Sequence, residues 1–494
     1  MIGIIMKKVI VFGAGGLFRV FSPFIKSKYH LAAISDNDIK QHGKTIDGAE
    51  IISPSEITRL DFDLVIVTSM YFKVIKEKLI SLGIEDDIII DVYDDLLIRE
   101  SVAHYLIEHD EFIMAKNKIS SLSLTKKKLI VMNSLGNGGA ERALLNLIRR
   151  LENNKNIFVV VIEGGGEYFN DLSRLVSTIE IFSFPENKLL SRCLFMHFPA
   201  KYVCFSLFGR NSYDIAIAYI EGLSTYLVSG INSNYKVACV HANLCTHHIS
   251  KSYYASLKVE YDAYANMNRM IFVSESVKDG FNEKIGWRGC ESSVIGNIFD
   301  IDMINQMAQR LVDFKISSPY IVTVGRLVEV KGFDKLIRAF SKVIKTHREN
   351  IKLVIIGDGP LKSTLDDLIS SLGMKDYIIL LGKKENPYPY IKSAQCLVSS
   401  SVSEGHPLAI GEAIALGTPI IATNCEGNSG MLAHGRYGHL CDNNESGLVS
   451  AITYFLDSPM YWAALQFKSV CGQVCVSGQN EVDKWNEILN NSDI

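Results

Sequence analysis

Glu404 and Glu412 stand eight positions apart in "SEGHPLAIGEA", with Pro407 between them. The run before them, "QCLVSSS", is β-prone, and "ALGTPIIAT" ends a helix and begins another strand, so the pair sits at a strand-to-helix junction. Pro407 suits the first helical turn, where its missing N–H costs nothing. Glu404 then lies in the loop and Glu412 about two turns along the helix, roughly 8 to 12 Å away at about 1.5 Å per residue. That is too far for two carboxylates sharing one proton and a suitable span for holding two parts of an elongated polar ligand. The plain alternative is a solvated helix face with a glutamate favoured by the helix dipole. The surrounding residues decide between them.

Upstream, "VGRLVEVKGFDKLIRAF" places Arg326 and Lys331 just past a strand and ahead of an amphipathic helix. Two cations and a glycine at the carboxyl end of a strand are placed to hold a diphosphate, whereas alone they would read as a solvated basic turn. A second glycine loop, "GAGGLFR", follows the first strand. Gly13 and Gly15 fit the dinucleotide fingerprint and Asp36 ends the next strand at a suitable distance, but Phe18 replaces the third glycine. This loop is a candidate nucleotide site, and a Rossmann-like fold without a nucleotide stays open beside it. His241, Cys245, His247 and His248 cluster in "HANLCTHH", but no second ligand cluster accompanies them and no metal is expected there.

These residues need rigid elements to position them, and the chain supplies three sets. It has 494 residues, too many for one core, with 48% hydrophobic and 21% charged residues and a net charge of −3. That composition gives no sign of nucleic-acid binding. The charge is uneven: residues 1–114, 115–300 and 301–494 carry −6, +5 and −2, so the middle segment is the basic one. Ten cysteines without paired spacing indicate reduced thiols. Short apolar runs such as "KKVIVFGAG", "KKLIVMNS" and "PYIVTVGR" alternate with helical patterns throughout, which implies parallel sheets covered by helices on both faces. The expected division is a Rossmann-like domain over 1–112, a linker over 113–127, two further α/β domains over 128–300 and 301–460, and C-terminal helices over 461–494 that cross back to the middle domain. No apolar run reaches 18 residues, so no membrane-spanning helix is expected.

The order and spacing of "VGRLVEVKG", "LVIIGDGPLKSTL", "ILLGKKENPYPY" and the Glu404–Glu412 segment resemble the GT-B glycosyltransferases of family 4, retaining enzymes that use sugar nucleotides. The likeness extends to "SLGNGGAERALLNLIRRL", "YDIAIAYIEGLST" and "KVACVHANL", and covers about residues 128–450. It implies an α/β fold of GT-B architecture, with two Rossmann-like domains facing a cleft and a third preceding them. The first domain itself resembles the nucleotide-binding-like domains attached to bacterial surface-polysaccharide enzymes.

The resemblance also implies roles. Glu404 would contact hydroxyls of the transferred sugar and Glu412 the ribose. Arg326 and Lys331 would neutralise the diphosphate leaving group, so no metal or other cofactor is required. Gly138 and Gly139 would bring backbone amides to the phosphates, and His241 would sit beside the sugar. Asn428, Ser429 and Gly430 would open a helix toward the phosphates, and Tyr388 would flank the nucleobase. His406, with Pro407 and Leu408, stands where the family carries an apolar residue, and Gly430 where it usually carries a glutamate. The implied activity is transfer of a sugar from a nucleotide-sugar, UDP-linked by expectation, to a lipid-linked or surface-polysaccharide acceptor. The rivals are a catalytically silent subunit and a sugar-nucleotide epimerase. Residues 187–211 interleave Lys188, Arg192, Lys201 and Arg210 with bulky apolar residues, which suits reversible docking of a cytoplasmic enzyme on an anionic membrane surface, with packing into the domain core as the alternative.

Overall fold

Each apolar, β-branched run becomes a strand, and the strands gather into three sheets. The computed structural model describes residues 6–490 apart from 137, 152–153, 247, 288, 313, 348–349, 474–475 and 477. The first sheet contains β1 (Lys8–Phe12), β2 (His30–Ser35), β3 (Thr45–Ile46), β4 (Ala49–Ile52), β5 (Leu64–Val67) and β6 (Ile89–Asp91), ordered β3-β4-β2-β1-β5-β6. It is parallel except for the β3–β4 hairpin.

The second sheet contains β7 (Lys128–Ser134), β8 (Ile157–Glu163), β9 (Ser177–Phe182), β10 (Tyr213–Ala218), β11 (Ser233–Val240), β12 (Arg269–Phe272) and β13 (Glu291–Val294). The third contains β14 (Tyr320–Val324), β15 (Lys352–Ile356), β16 (Ile378–Gly382), β17 (Cys396–Ser399), β18 (Ile420–Thr423) and β19 (His439–Cys441). Their orders are β13-β12-β11-β10-β7-β8-β9 and β16-β15-β14-β17-β18-β19, all parallel. Strands such as β8 are buried from Ile157 to Ile162, as expected of a sheet covered on both faces. In each sheet the chain reverses its direction of strand addition beside the first strand, at β1/β5, β7/β10 and β14/β17. Crevices at the carboxyl ends of strands open at such switch points.

The segment 113–127, expected to be a linker, is instead largely helix. Asp110–Leu122 is one helix whose Phe112, Ala115 and Ile119, spaced by three and four, are buried together. It packs on β9 and on the helix Ala200–Phe208. Ser123 at its end lies 2.6 Å from the Tyr213 hydroxyl. At its start the buried Glu111 accepts from the amides of Ser183 (2.7 Å) and Phe184 (2.8 Å) and from Asn187 Nδ2 (2.7 Å). In sequence Phe112, Ile113, Met114 and Ala115 form one unbroken apolar run, which hides the three-and-four spacing of the buried stripe.

The 187–211 segment forms two helices, Pro185–His197 and Ala200–Phe208, separated at Pro199. The first cannot lie on a membrane as expected. Leu190, Leu194 and Phe195 are buried in a core shared by the first and second sheets, and the helix packs against the first domain's helix Leu96–Glu108. Arg192 lies 4.5 Å over the Tyr93 ring, and the Tyr93 hydroxyl donates to the Leu189 carbonyl at 2.9 Å. Only the second helix keeps aromatic side chains in solvent, Tyr202 and Phe205, next to the exposed Lys201. Among the described residues no helix is long and apolar enough to cross a membrane.

The C-terminal helices divide their contacts. Pro459–Gly472 stays on the third domain against the helix Leu408–Leu416. Gln479–Asn490 returns to the second domain, where Val482, Trp485, Ile488 and Leu489 enter its core and Trp485 packs 5.7 Å from Tyr219.

Candidate functional site

A cleft of about 550 Å³ separates the carboxyl edges of the second and third sheets, at both switch points. On the third-domain wall, β14 ends at Val324 and delivers Gly325 and Arg326 to the opening. Lys331 closes a one-turn helix, Glu329–Lys331, and Gly332 follows at φ +60°. A Cβ on Gly332 would lie 2.4 Å from the Ser400 carbonyl, so only glycine lets this turn press against the end of β17. The Ser400 hydroxyl donates to the Lys331 carbonyl at 2.8 Å, fixing the turn. Lys331 Nζ then reaches Glu404 Oε1 at 2.5 Å, and the Ser401 hydroxyl donates to the same oxygen at 2.6 Å. Both members of this ion pair are mostly shielded from solvent.

Gly405 lets the third domain press closely on the second. A Cβ there would lie 2.1 Å from the His241 carbonyl. His406 is half-buried against Gly296 and Asn297, whose backbone amide donates to its Nδ1 at 3.3 Å, and the loss of solvent around the ring pulls its pKa down to about 4, so the ring is neutral. Pro407 caps the helix Leu408–Leu416, and Leu408 faces Gly139 across the cleft.

On the second-domain wall, Gly138 caps the helix Gly139–Arg150 directly after β7. Its first turn carries Glu141 and Arg142 into the cleft. Burial raises the pKa of Glu141, opposed by Arg326 from the other wall and by Ser134. Arg142 crosses to the third domain: its guanidinium lies 3.2 Å from Glu412, donates to the Tyr388 hydroxyl and stands 5.2 Å over that ring. Burial raises the Glu412 pKa and Arg142 opposes it. Burial works against the charge on Arg142 too, but Glu412 and Tyr388 outweigh it and hold the guanidinium protonated. His241 Nε2 lies 2.9 Å from the Tyr219 carbonyl, which assigns the N–H to Nε2 and leaves Nδ1 an acceptor. Burial lowers its pKa to about 4, and its backbone amide donates to the buried Glu221 at 3.0 Å.

The cleft thus gathers Arg326, Lys331, Glu404, His241, Gly138, Gly139, His406, Pro407, Leu408 and Glu412. Tyr388 does not face it openly: its ring is only 1% exposed, behind Arg142. Asn428, Ser429 and Gly430 are not at a helix start. The helix runs Glu426–Met431, and the Ser429 amide already donates to the Cys425 carbonyl at 2.8 Å. Asn428 is fully buried and donates to the Thr423 carbonyl at 2.9 Å, a packing role. Arg142 was missed. Its signal was its place three residues beyond Gly139, on the helix face that carries the glycine loop.

The remaining candidates lie elsewhere. Cys245 donates to the Gly280 carbonyl and His248 pairs with Glu260, so they do not converge with His241, and His247 lies outside the described residues. In the first domain Gly13 has φ +108°, and a Cβ would meet the Thr68 carbonyl at 2.9 Å. Gly15 caps the helix Gly16–Lys28, and the Asp36 carboxylate accepts from the amides of Ala14 (2.7 Å) and Asp38 (2.8 Å). Phe18, in place of a third glycine, is buried in the core.

Comparison with known proteins bears on the family and the fold. Residues 312–467 match the family described as Glycosyl transferases group 1, and residues 5–90 match C2185-like, N-terminal. An uncharacterized glycosyltransferase of Methanocaldococcus jannaschii is 37% identical over 28% of the chain, which spans only 34% of that relative's length. A Campylobacter jejuni N-acetylgalactosamine-N,N'-diacetylbacillosaminyl-diphospho-undecaprenol 4-alpha-N-acetylgalactosaminyltransferase is 25% identical over 66% of the chain and 89% of its own. Among solved structures, HepE of Anabaena in complex with UDP and glucose superposes with TM-score 0.58 at 19% identity, over 74% of this chain and 99% of its own. Sucrose-phosphate synthase from Thermosynechococcus elongatus gives 0.61 at 16%, with the same coverage. The chain is therefore a mixed α/β protein of GT-B fold behind an N-terminal sheet domain, and its residues 312–467 match the Glycosyl transferases group 1 family.

Proposed function

We propose that the protein is a retaining glycosyltransferase that moves a sugar from a nucleotide-sugar, UDP-linked, to a lipid-linked or surface-polysaccharide acceptor. The observation that carries this reading is the wall of Arg326, Lys331 and Glu404 facing the glycine start of the helix Gly139–Arg150. A diphosphate between them meets two side-chain cations on one side and backbone N–H groups on the other. As the bond from sugar to phosphate breaks, Arg326 and Lys331 balance the charge growing on the leaving group, which is why no metal is needed in this scheme. Glu404, held by Lys331 and Ser401, orients the sugar hydroxyls, and Glu412, held by Arg142, takes the ribose. His241, neutral and accepting at Nδ1, lies beside the sugar. The departing phosphate receives the acceptor's proton on the same face, so configuration is retained. HepE in complex with UDP and with UDP-glucose supports a UDP donor, and the Campylobacter diphospho-undecaprenol glycosyltransferase supports a diphospho-lipid acceptor.

In this reading the first domain, through the helix Leu96–Glu108, is regulatory or scaffolding, and the catalytic pair occupies the second and third sheets. The enzyme works in the cytoplasm, and contact with an anionic membrane falls to the helix Ala200–Phe208, through Lys201, Tyr202 and Phe205. The test is ligand-induced thermal stabilisation by a panel of UDP-, GDP- and ADP-sugars, since only a donor that fits the native cleft raises apparent stability. Stabilisation by UDP-sugars alone, lost in Lys331→Ala, supports the assignment. Equal response to all three bases, or no response to any, removes it.

A further inference from the structure

Away from the cleft, the first and second domains meet where the helix Leu96–Glu108 packs along the helix Pro185–His197. Glu100 and His104 stand four residues apart, on one face of the first helix. His197 ends the second helix. One carboxylate oxygen and one ring nitrogen from each histidine lie within 4.8 Å of one another. We propose that Glu100, His104 and His197 form a divalent transition-metal site, zinc by its donor set, that ties the N-terminal domain to the second domain.

Three features carry this. The donor set of two imidazoles and one carboxylate is that of open three-ligand zinc sites, with water completing the tetrahedron. His104 Nδ1 lies 2.9 Å from the Glu100 backbone carbonyl, so Nδ1 carries the proton and Nε2 is left to bind a cation. Metal-bound histidines use the same arrangement, the second nitrogen fixing tautomer and ring direction. The rings of His104 and His197 both meet Phe198, at 5.2 and 4.7 Å between centroids, giving the cluster an apolar wall on one side. Zinc bonds of about 2.0–2.1 Å put tetrahedral donors about 3.3 Å apart. Glu100 and His104 are exposed, so closing from 4.8 Å takes only side-chain adjustment.

The experiment is calorimetric titration of zinc chloride into the chelator-stripped full-length protein, with cobalt(II) absorption as a second readout. The wild type should bind one equivalent that the His104→Ala/His197→Ala double variant lacks, and Glu100→Gln should weaken that equivalent by about tenfold or more. Cobalt should give the intense visible bands of four-coordinate geometry in the wild type and not in the double variant. Cys245 and Cys471 are exposed, so the quantity read is the equivalent lost, not the total bound. Equal stoichiometry in wild type and double variant overturns the proposal, as does an affinity that Glu100→Gln leaves unchanged, or a wild type that binds no zinc. Glu100→Gln changes only an exposed side chain, so it keeps the test decisive should the double variant fold poorly.

Discussion

The glycine loop after β1 and the glycine loop after β7 begin alike and end differently. Each leaves the first strand of a parallel sheet at a switch point and starts a helix of twelve or more residues. After β1, the loop closes on its own domain: Ala14 donates to Asp36, the Thr68 hydroxyl donates to the Gly13 carbonyl at 2.9 Å, and Gly13 sits against Thr68. After β7, the loop faces another domain, with Leu408 beside Gly139 and Arg326 acting on Glu141 from across the cleft. The same local motif therefore makes a self-satisfied turn in one place and one wall of a cleft in the other. What separates them is the second wall. In the reading proposed above, the glycine start after β7 serves a ligand together with the charge that the third domain brings to it.

The sharpest way to break this contrast is to remove the charge from the second wall. Lys331→Ala and Glu404→Ala should each cut sugar transfer by on the order of 10² or more, as loss of a positioned electrostatic group does, with the far-UV circular dichroism unchanged. Near-normal turnover by both folded variants would falsify the transferase reading of the cleft. Arg142 comes next. Arg142→Ala leaves the buried Glu412 without its cation and unpins the two walls, and breaking such a pair costs about 3 kcal/mol. Denaturant unfolding should register that loss. The double variant with Glu412→Gln should recover part of it, because the stranded charge is gone. Strict additivity of the two changes would show that the contact does not couple the walls.

A smaller effect belongs to the seam between the first and second domains. Glu111 is buried, which alone would raise its pKa, yet hydrogen bonds from Ser183, Asn187 and Phe184 hold it below the usual carboxylate value. A carboxyl lowered on folding contributes stability that is present above its unfolded pKa, near about 4.3, and is lost as pH falls through the lower folded value. Glu111→Gln should therefore destabilise the protein by about 2 kcal/mol at neutral pH, as hydrogen bonds to a charged group are lost. The gap between variant and wild type should narrow below roughly pH 4. A gap that stays constant down to pH 3 would remove Glu111's charge from the account.

How far the sequence reached follows from the same physics. Strand runs such as "FVVVIEG" are legible because burial on both faces leaves only apolar residues, and Arg326, Lys331 and Glu404 are legible because charge at the end of such a run has few structural reasons to be there. Arg142 was not, because an arginine inside "GAERALLNLIRR" looks like any solvated helix residue until the opposite wall is known. Asn428 misled for the reverse reason: polar residues after a strand resemble a helix cap, yet here the helix had begun at Glu426 and the side chain turned inward to Thr423. The apolar residues of 187–211 carried two readings at once. Only the neighbouring domain shows that Leu190, Leu194 and Phe195 are covered by protein.

The last prediction tests the quiet side of the comparison. If the first glycine loop is satisfied within its own domain, then Asp36 is a structural acceptor, and changing it should be felt there and nowhere else. Asp36→Ala removes the partner of the Ala14 and Asp38 amides, near the surface where water can replace it, so the loss should be about 1 kcal/mol, read as a modest fall in the unfolding midpoint. Sugar transfer should change by less than about twofold, since on-site electrostatics at the cleft are untouched and the cost lies within the range of one lost hydrogen bond. The same variant should show no change in nicotinamide binding, because the carboxylate that would take a ribose hydroxyl is already engaged by backbone. A tenfold drop in transfer would mean that the first loop reports to the cleft. A nicotinamide affinity that disappears with Asp36 would mean that the loop opens to a ligand after all, and the two glycine loops would then differ in what they bind rather than in whether they bind.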